Sequence, residues 1–147
     1  MTPTLAGRWQ TRLFLLLTFG LVITLFFGWL FKDYLTPLAL LIYVLILGFG
    51  WDIIYQFLQS FRWDRDWPPL FQFLAGLVEG LFVWLLVQML ADVPLFGQTG
   101  LPGVGSGLTF VRFLAHYGTV WLFTFLITQS FIRIIFPDWR FRGGQWF

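Results

Sequence analysis

The chain of 147 residues contains no cysteine, one histidine and one lysine. The first absence removes disulfides, thiolate metal sites, iron–sulfur ligation and thiol catalysis together. The second leaves His116 by itself, so a multi-histidine metal centre cannot be built within one chain. Charge is scarce as well. Charged residues make up 11% of the chain, against about 25% in soluble domains, too few to coat a water-soluble core. The formal net charge of +2 is too small to point to nucleic acid. No secretory signal peptide is expected, because the first apolar run is too long and no small-residue cleavage site follows it.

What fills the chain instead is apolar: 59% hydrophobic and 22% aromatic residues, with a mean hydropathy of +0.80. The class this implies is an all-α integral membrane protein. Four apolar runs read as transmembrane helices at about 13–31, 37–58, 70–91 and 110–135, each near the roughly 20 residues that cross a bilayer. They are long and lack period-2 alternation, which excludes a membrane strand pattern. The expected fold is a single four-transmembrane-helix bundle.

Orientation follows from the arginines. Arg8 and Arg12 precede the first run, Arg62 and Arg65 join the second to the third, and Arg133, Arg140 and Arg142 follow the fourth. The other two connections hold Lys32 and Arg112. Basic residues favour the cytoplasmic side, so both termini are expected in the cytoplasm, at the inner membrane of a bacterium.

The stretch FRWDRDWPPLF, 61–71, is then a cytoplasmic connection. Trp63 and Trp67 are four apart, which suits a turn of interfacial helix, and tryptophan favours the headgroup level. Pro68 stops that turn and Pro69 can open the next helix, where a missing N–H costs nothing. The C-terminal FPDWRFRGGQWF repeats the composition with Trp139 and Arg140. Arg62, Trp63, Arg65, Trp67, Trp139 and Arg140 are therefore expected to anchor the protein at the membrane surface or to dock a partner, with anchoring preferred.

Polar groups inside the runs are more informative, because a carboxylate at a bilayer midplane costs about 2.5–3.5 kcal/mol on insertion scales. Glu79 lies near the middle of the third run and Asp52 in the second. At 100° per residue Asp52, Gln56 and Gln59 share a stripe, with Gly48 and Tyr55 at its edges. Gln72, Gly76, Glu79 and Gly80 share another, and Gly76-xxx-Gly80 permits close approach. The first run offers Gly20, Thr24 and Gly28; the fourth offers Arg112, His116, Thr119, Gln129, Ser130 and Arg133. Glu79, Asp52, Gln56, Gln129 and Arg133 form the candidate intramembrane polar set. Glu79 has two readings: a hydrogen-bonded acid holding helices together, with Gln56 or Arg133 as partner, or a titrating group in an ion pathway. For Asp52 an ion pair with Arg133 or Arg62 is expected.

His116 reads as a packing residue, with axial ligation of a haem or chlorophyll as the alternative; the sequence names no cofactor. The glycine-rich stretch 92–110 lacks the strand and lysine of a phosphate cradle. Ser106 lacks the glycine spacing of a nucleophile elbow. Leu95, Phe96, Leu101, Val104 and Leu108 instead suggest a flap that caps the bundle. No catalytic set and no metal site emerges. The function expected from these features is a non-catalytic accessory or assembly subunit of a larger membrane complex, whose partners are the lipid bilayer and other membrane subunits or a second copy. A small oligomeric transporter or channel using the embedded carboxylates is the alternative. A lipid- or isoprenoid-modifying enzyme is third, with Asp52 and Glu79 its one candidate pair.

Overall fold

The structure, a computed structural model, describes residues 3–63, 66–135, 142–143 and 145. It is mostly helical, and four of its helices are long and apolar enough to cross a membrane. These are α1 (Leu5–Phe31), α2 (Leu35–Ser60), α3 (Pro69–Leu90) and α4 (Phe110–Gln129), with a short α5 (Phe131–Ile135) after a break at Ser130. The sequence expectation of one unbroken run to 135 is corrected at that break.

Helix α1 starts eight residues earlier than the apolar run. Thr4 caps it, its hydroxyl accepting from the Gly7 N–H at 3.1 Å and satisfying one of the orphan donors of a helix start. The added turns carry Arg8 and Arg12, which a span can hold because both find partners inside the bundle. Between Leu16 and Gly20 the backbone widens to a π turn. In an unbroken α-helix Arg12 and Thr24 would lie about 120° apart; a π turn absorbs one residue and reduces this to about 20°. Both side chains therefore reach the bundle interior, Arg12 towards Asp52 and Glu79, Thr24 towards His116.

Helices pack in a closed cycle, α1 on α2, α2 on α3, α3 on α4 and α4 back on the π turn and second half of α1. The core runs through Leu16, Leu40, Leu41, Val44, Val83, Val87, Phe113 and Val120. A smaller cluster of Leu15 and Ile132, with Phe19 and Ile127, closes the seam between α1 and the α4–α5 break. Gly76 and Gly80 do admit a close neighbour, but it is aromatic rather than backbone. Trp121 lies on Gly76 and Tyr117 on Gly80, so closely that a methyl group at either glycine would collide with the ring. The Tyr117 hydroxyl then donates to the Gly76 carbonyl at 2.6 Å.

The 92–109 connection folds back on the bundle. Its hairpin pairs β1 (Pro94–Leu95) with β2 (Gln98–Thr99), turning through Phe96 and Gly97, both at positive φ. Leu95, Val104 and Leu108 pack against the core and Leu101 is buried, whereas Phe96 stands out at the tip, 94% exposed. Two polar ties hold the rest: Tyr43 donates to the Pro102 carbonyl at 2.9 Å, and the Gly105 N–H donates to Thr36 Oγ1 at 3.0 Å. Thr36 in turn lies in the turn capped by Asp33, whose carboxylate accepts from the N–H groups of Leu35 and Thr36.

Between α2 and α3 the described residues form no regular helix: 61–63 turn, and 66–68 lead directly into α3, to which 69–71 already belong. The interfacial turn expected there is corrected to that extent, while Arg65 lies outside the described residues. So do Trp139 and Arg140. Thr4 N–H donates to the Gly143 carbonyl at 2.8 Å, which brings the described part of the tail to the start of α1.

Two predictions follow from these contacts. Gly76→Ala or Gly80→Ala will cost about 1–3 kcal/mol through overpacking. Gly50→Ala, at a helical position with open space around it, will gain about 0.5–1 kcal/mol; thermal unfolding in detergent separates the two signs. The Asp33 carboxyl is held below its ordinary range, first by the Thr36 hydroxyl and then by the two backbone N–H groups. Its cap therefore contributes fully above about pH 4, the ordinary carboxyl value, and is lost as the pH falls through the lower folded value. The melting difference between wild type and Asp33→Ala, about 1 kcal/mol at neutral pH, will shrink on acidification below that point.

Candidate functional site

The inner half of the bundle is organised by a single guanidinium. Arg12 Nε and Nη2 donate to the two oxygens of Asp52, each at 2.9 Å. Nη1 and Nη2 donate to Glu79 at 2.9 and 3.1 Å. One arginine thus grips two carboxylates, each bidentately, and ties α1, α2 and α3 at one level. The carboxylate side chains are 5% and 9% exposed and that of Arg12 18%, so this is a buried cluster. Here the five donors of arginine in their fixed fork are what matter, since lysine has no such geometry.

The sequence of α2 makes room for it. Gly48, Asp52, Tyr55 and Gln59 are buried along one face. The guanidinium lies so close over Gly48 that any Cβ there would displace it. One turn nearer the helix start, Arg8 Nη2 donates to Gln59 Oε1 at 2.8 Å. Its guanidinium stacks on Trp67 at 4.7 Å, a favourable cation–π arrangement. The buried Arg8 Nε reaches no acceptor. Trp67 also packs on Tyr55, ring centroids 5.5 Å apart, and the Tyr55 hydroxyl donates to the Ala75 carbonyl at 3.3 Å.

Of the residues singled out in the sequence, Glu79 and Asp52 meet through Arg12, a partner the sequence expectation did not include. Gln56 is half-buried beside the stripe, and its buried Oε1 has no partner. Gln129 Nε2 donates to Gln72 Oε1 at 2.8 Å, linking α4 to α3. Arg133 lies in α5, and its side chain is outside the described residues. Trp67 is part of the site wall, while Trp63, four residues before it, is 95% exposed. Arg62 lies over the Phe71 ring at 5.1 Å.

His116 is at the other end. Its Nε2 shares a hydrogen bond with Thr24 Oγ1 at 2.9 Å, and its ring meets Phe27 edge-on at 5.7 Å. Its Nδ1 is buried without a partner beside a cavity of about 50 Å³. That space suits one or two waters, each of which takes up about 30 Å³. It does not fit a macrocycle, and Nε2 is already engaged. Among the described residues no three acidic, histidine or cysteine side chains form a group that could hold a metal ion.

Sequence reading missed Arg8 and Arg12 as site residues, placing both ahead of the first span as flanking charges. A signal was present: Thr4, Arg8 and Arg12 recur every four residues, a capped helix face bearing two cations for two buried acids.

Removing Arg12 strands two buried carboxylates. Arg12→Met will cost at least about 3–5 kcal/mol, the usual penalty of breaking one buried pair, and the protein will lose its cooperative melt or fail to accumulate. The triple variant Arg12→Met, Asp52→Asn, Glu79→Gln, in which neither acid is stranded, will recover most of that loss.

No family model, no curated protein and no solved structure matches the chain, so its chemistry rests on these side chains alone.

Proposed function

We propose that this is a multi-pass protein of the bacterial inner membrane, with both termini cytoplasmic, acting as a non-catalytic accessory or assembly subunit of a larger membrane complex. Four apolar helices support the membrane placement. The positive-inside argument survives the move of Arg8 and Arg12 into α1: Arg62, Arg65, Arg133, Arg140 and Arg142 remain on one side, against Lys32 and Arg112 on the other.

The observation that carries the role is the closure of the charged cluster. A carboxylate that moves protons or cations must exchange its partner during the cycle. Here both acids spend all four of their oxygens on one arginine. That is the bonding of a structural lock, which fixes how three helices meet. Surfaces suited to partners lie elsewhere: Phe61 and Trp63 at the arginine-rich end are 72% and 95% exposed, and Phe96 at the opposite end 94%. Tryptophan and phenylalanine exposed to this degree fit a headgroup layer or the apolar anchor sites of another subunit.

A second reading, a small oligomeric transporter, draws on a cavity of about 190 Å³ that reaches Glu79 and Asp52. Wild-type protein in liposomes that conducts no ion would remove it, and flux that persists in the triple variant would take the two carboxylates out of its pathway.

Native mass spectrometry of the tagged protein, extracted in mild detergent from its own cells, tests the main reading. The expected result is a reproducible heteromeric mass that Trp63→Ala weakens and the triple variant retains. A monomer or homo-oligomer carrying lipid alone would sink the subunit role.

A further inference from the structure

The 190 Å³ cavity is bounded by all four long helices and lies on the bundle axis. The contacts between α1 and α4 lie at the π turn and the second half of α1, at the cavity's inner end. Its walls carry Arg8, Arg12, Asp52 and Glu79 together with the hydroxyls of Thr11, Thr124 and Thr128. Pro3 and Trp67 lie at its outer end, and Leu16, Val44 and Val120 at its inner end. Past that apolar layer, Val83 is 1% exposed and Leu40 2%. The smaller cavity beside His116 begins one helical turn on, with Leu40 in its lining where Val44 lines the first.

Resting on the membrane placement proposed above, we infer that this cavity is an aqueous vestibule open to the arginine-rich face alone, a built site for about six waters at roughly 30 Å³ each. Two observations select water over an apolar occupant. A hydrocarbon there would lie against the charged walls of Arg12, Asp52 and Glu79 and the hydroxyls of Thr11, Thr124 and Thr128, polar groups that water solvates and a hydrocarbon does not. The volume also falls below the roughly 300–1,000 Å³ of most small-molecule sites. The vestibule solvates the outer side of the Arg12 cluster, so charged groups near the middle of the bundle keep contact with the solvent of one compartment. The layer of Leu16, Val44 and Val120 stops that solvent from reaching the space beside His116.

The cysteine-free chain allows a direct test with single-cysteine variants and a membrane-impermeant cationic methanethiosulfonate, applied to either face of native membranes. Ala75→Cys and Thr124→Cys line the cavity; Val83→Cys lies beyond the apolar layer; Leu81→Cys, at the depth of Glu79, faces outward and is 60% exposed. Thermal melting confirms that each variant is folded, and two lining positions guard against the failure of one. The lining thiols are expected to react from the arginine-rich face only, on the order of tenfold faster than Val83→Cys, whose thiol reacts only through opening fluctuations. Leu81→Cys, shielded by lipid, should stay slow. Lining thiols as slow as Val83→Cys, or reactive from both faces, would overturn the vestibule. Fast reaction of Leu81→Cys would overturn the membrane placement, and the vestibule with it.

Discussion

A guanidinium shared by two carboxylates in a low-dielectric interior tolerates few geometries, and the inner half of this bundle is shaped by that constraint. Coulombic attraction between the three groups is offset by the several kcal/mol needed to desolvate each ion, so the cluster adds little net stability over an apolar filling. Its effect is on alternatives. A slip of α1 by one residue, or a rotation of α2 that moved Asp52 off the axis, would leave buried charge without a partner. The cluster therefore selects one arrangement among the many that apolar helices in lipid can adopt with similar packing energy. Gly48 is fixed by the same demand, since the guanidinium occupies the space of its missing side chain.

The same half of the bundle also relies on ring packing. Trp121 and Tyr117 fill the grooves over Gly76 and Gly80, and Phe73 meets Trp121 at 4.7 Å. The Tyr117 hydroxyl satisfies its own polar requirement on a helix carbonyl. These aromatic contacts set the spacing of α3 and α4, and with it the position of Glu79 relative to the α1 arginines. The two systems thus meet on α3: one face of that helix receives rings, and the adjoining one presents a carboxylate.

Much of this was legible in the sequence, and the gaps have physical causes. Composition and run length were enough for the four apolar helices, since no other fold buries such segments. Glu79 and Asp52 stood out for the same reason that they need a partner. The partner did not, because an arginine at the edge of an apolar run has two roles with identical local sequence, snorkelling outward or pairing inward. Only the position of the acids decides between them. The π turn has no sequence signal at all: Leu16–Gly20 is ordinary apolar helix by composition, and its widened backbone is explained by where Arg12 and Thr24 must point. Trp63 and Trp67 show the limit of spacing rules. Four residues apart, they read as one face, yet Trp67 packs under Arg8 while Trp63 is exposed. At His116 the lone imidazole left ligation open; the hydroxyl of Thr24, distant in sequence, engages its Nε2.

The spread of the Arg12 cluster over three successive helices has a consequence for how such a chain is made. An α1 bearing two arginines enters a bilayer poorly by itself, at about 2.5–3.5 kcal/mol for each arginine placed near the helix centre. Neither α2 nor α3 can neutralise its acid without α1. Ribosomal synthesis delivers the cation first, the aspartate some 40 residues later and the glutamate 27 residues after that. The first helix therefore has no counter-charge until α2 and α3 have been made, so the pairing that fixes how the three helices meet is the last of their contacts to become possible.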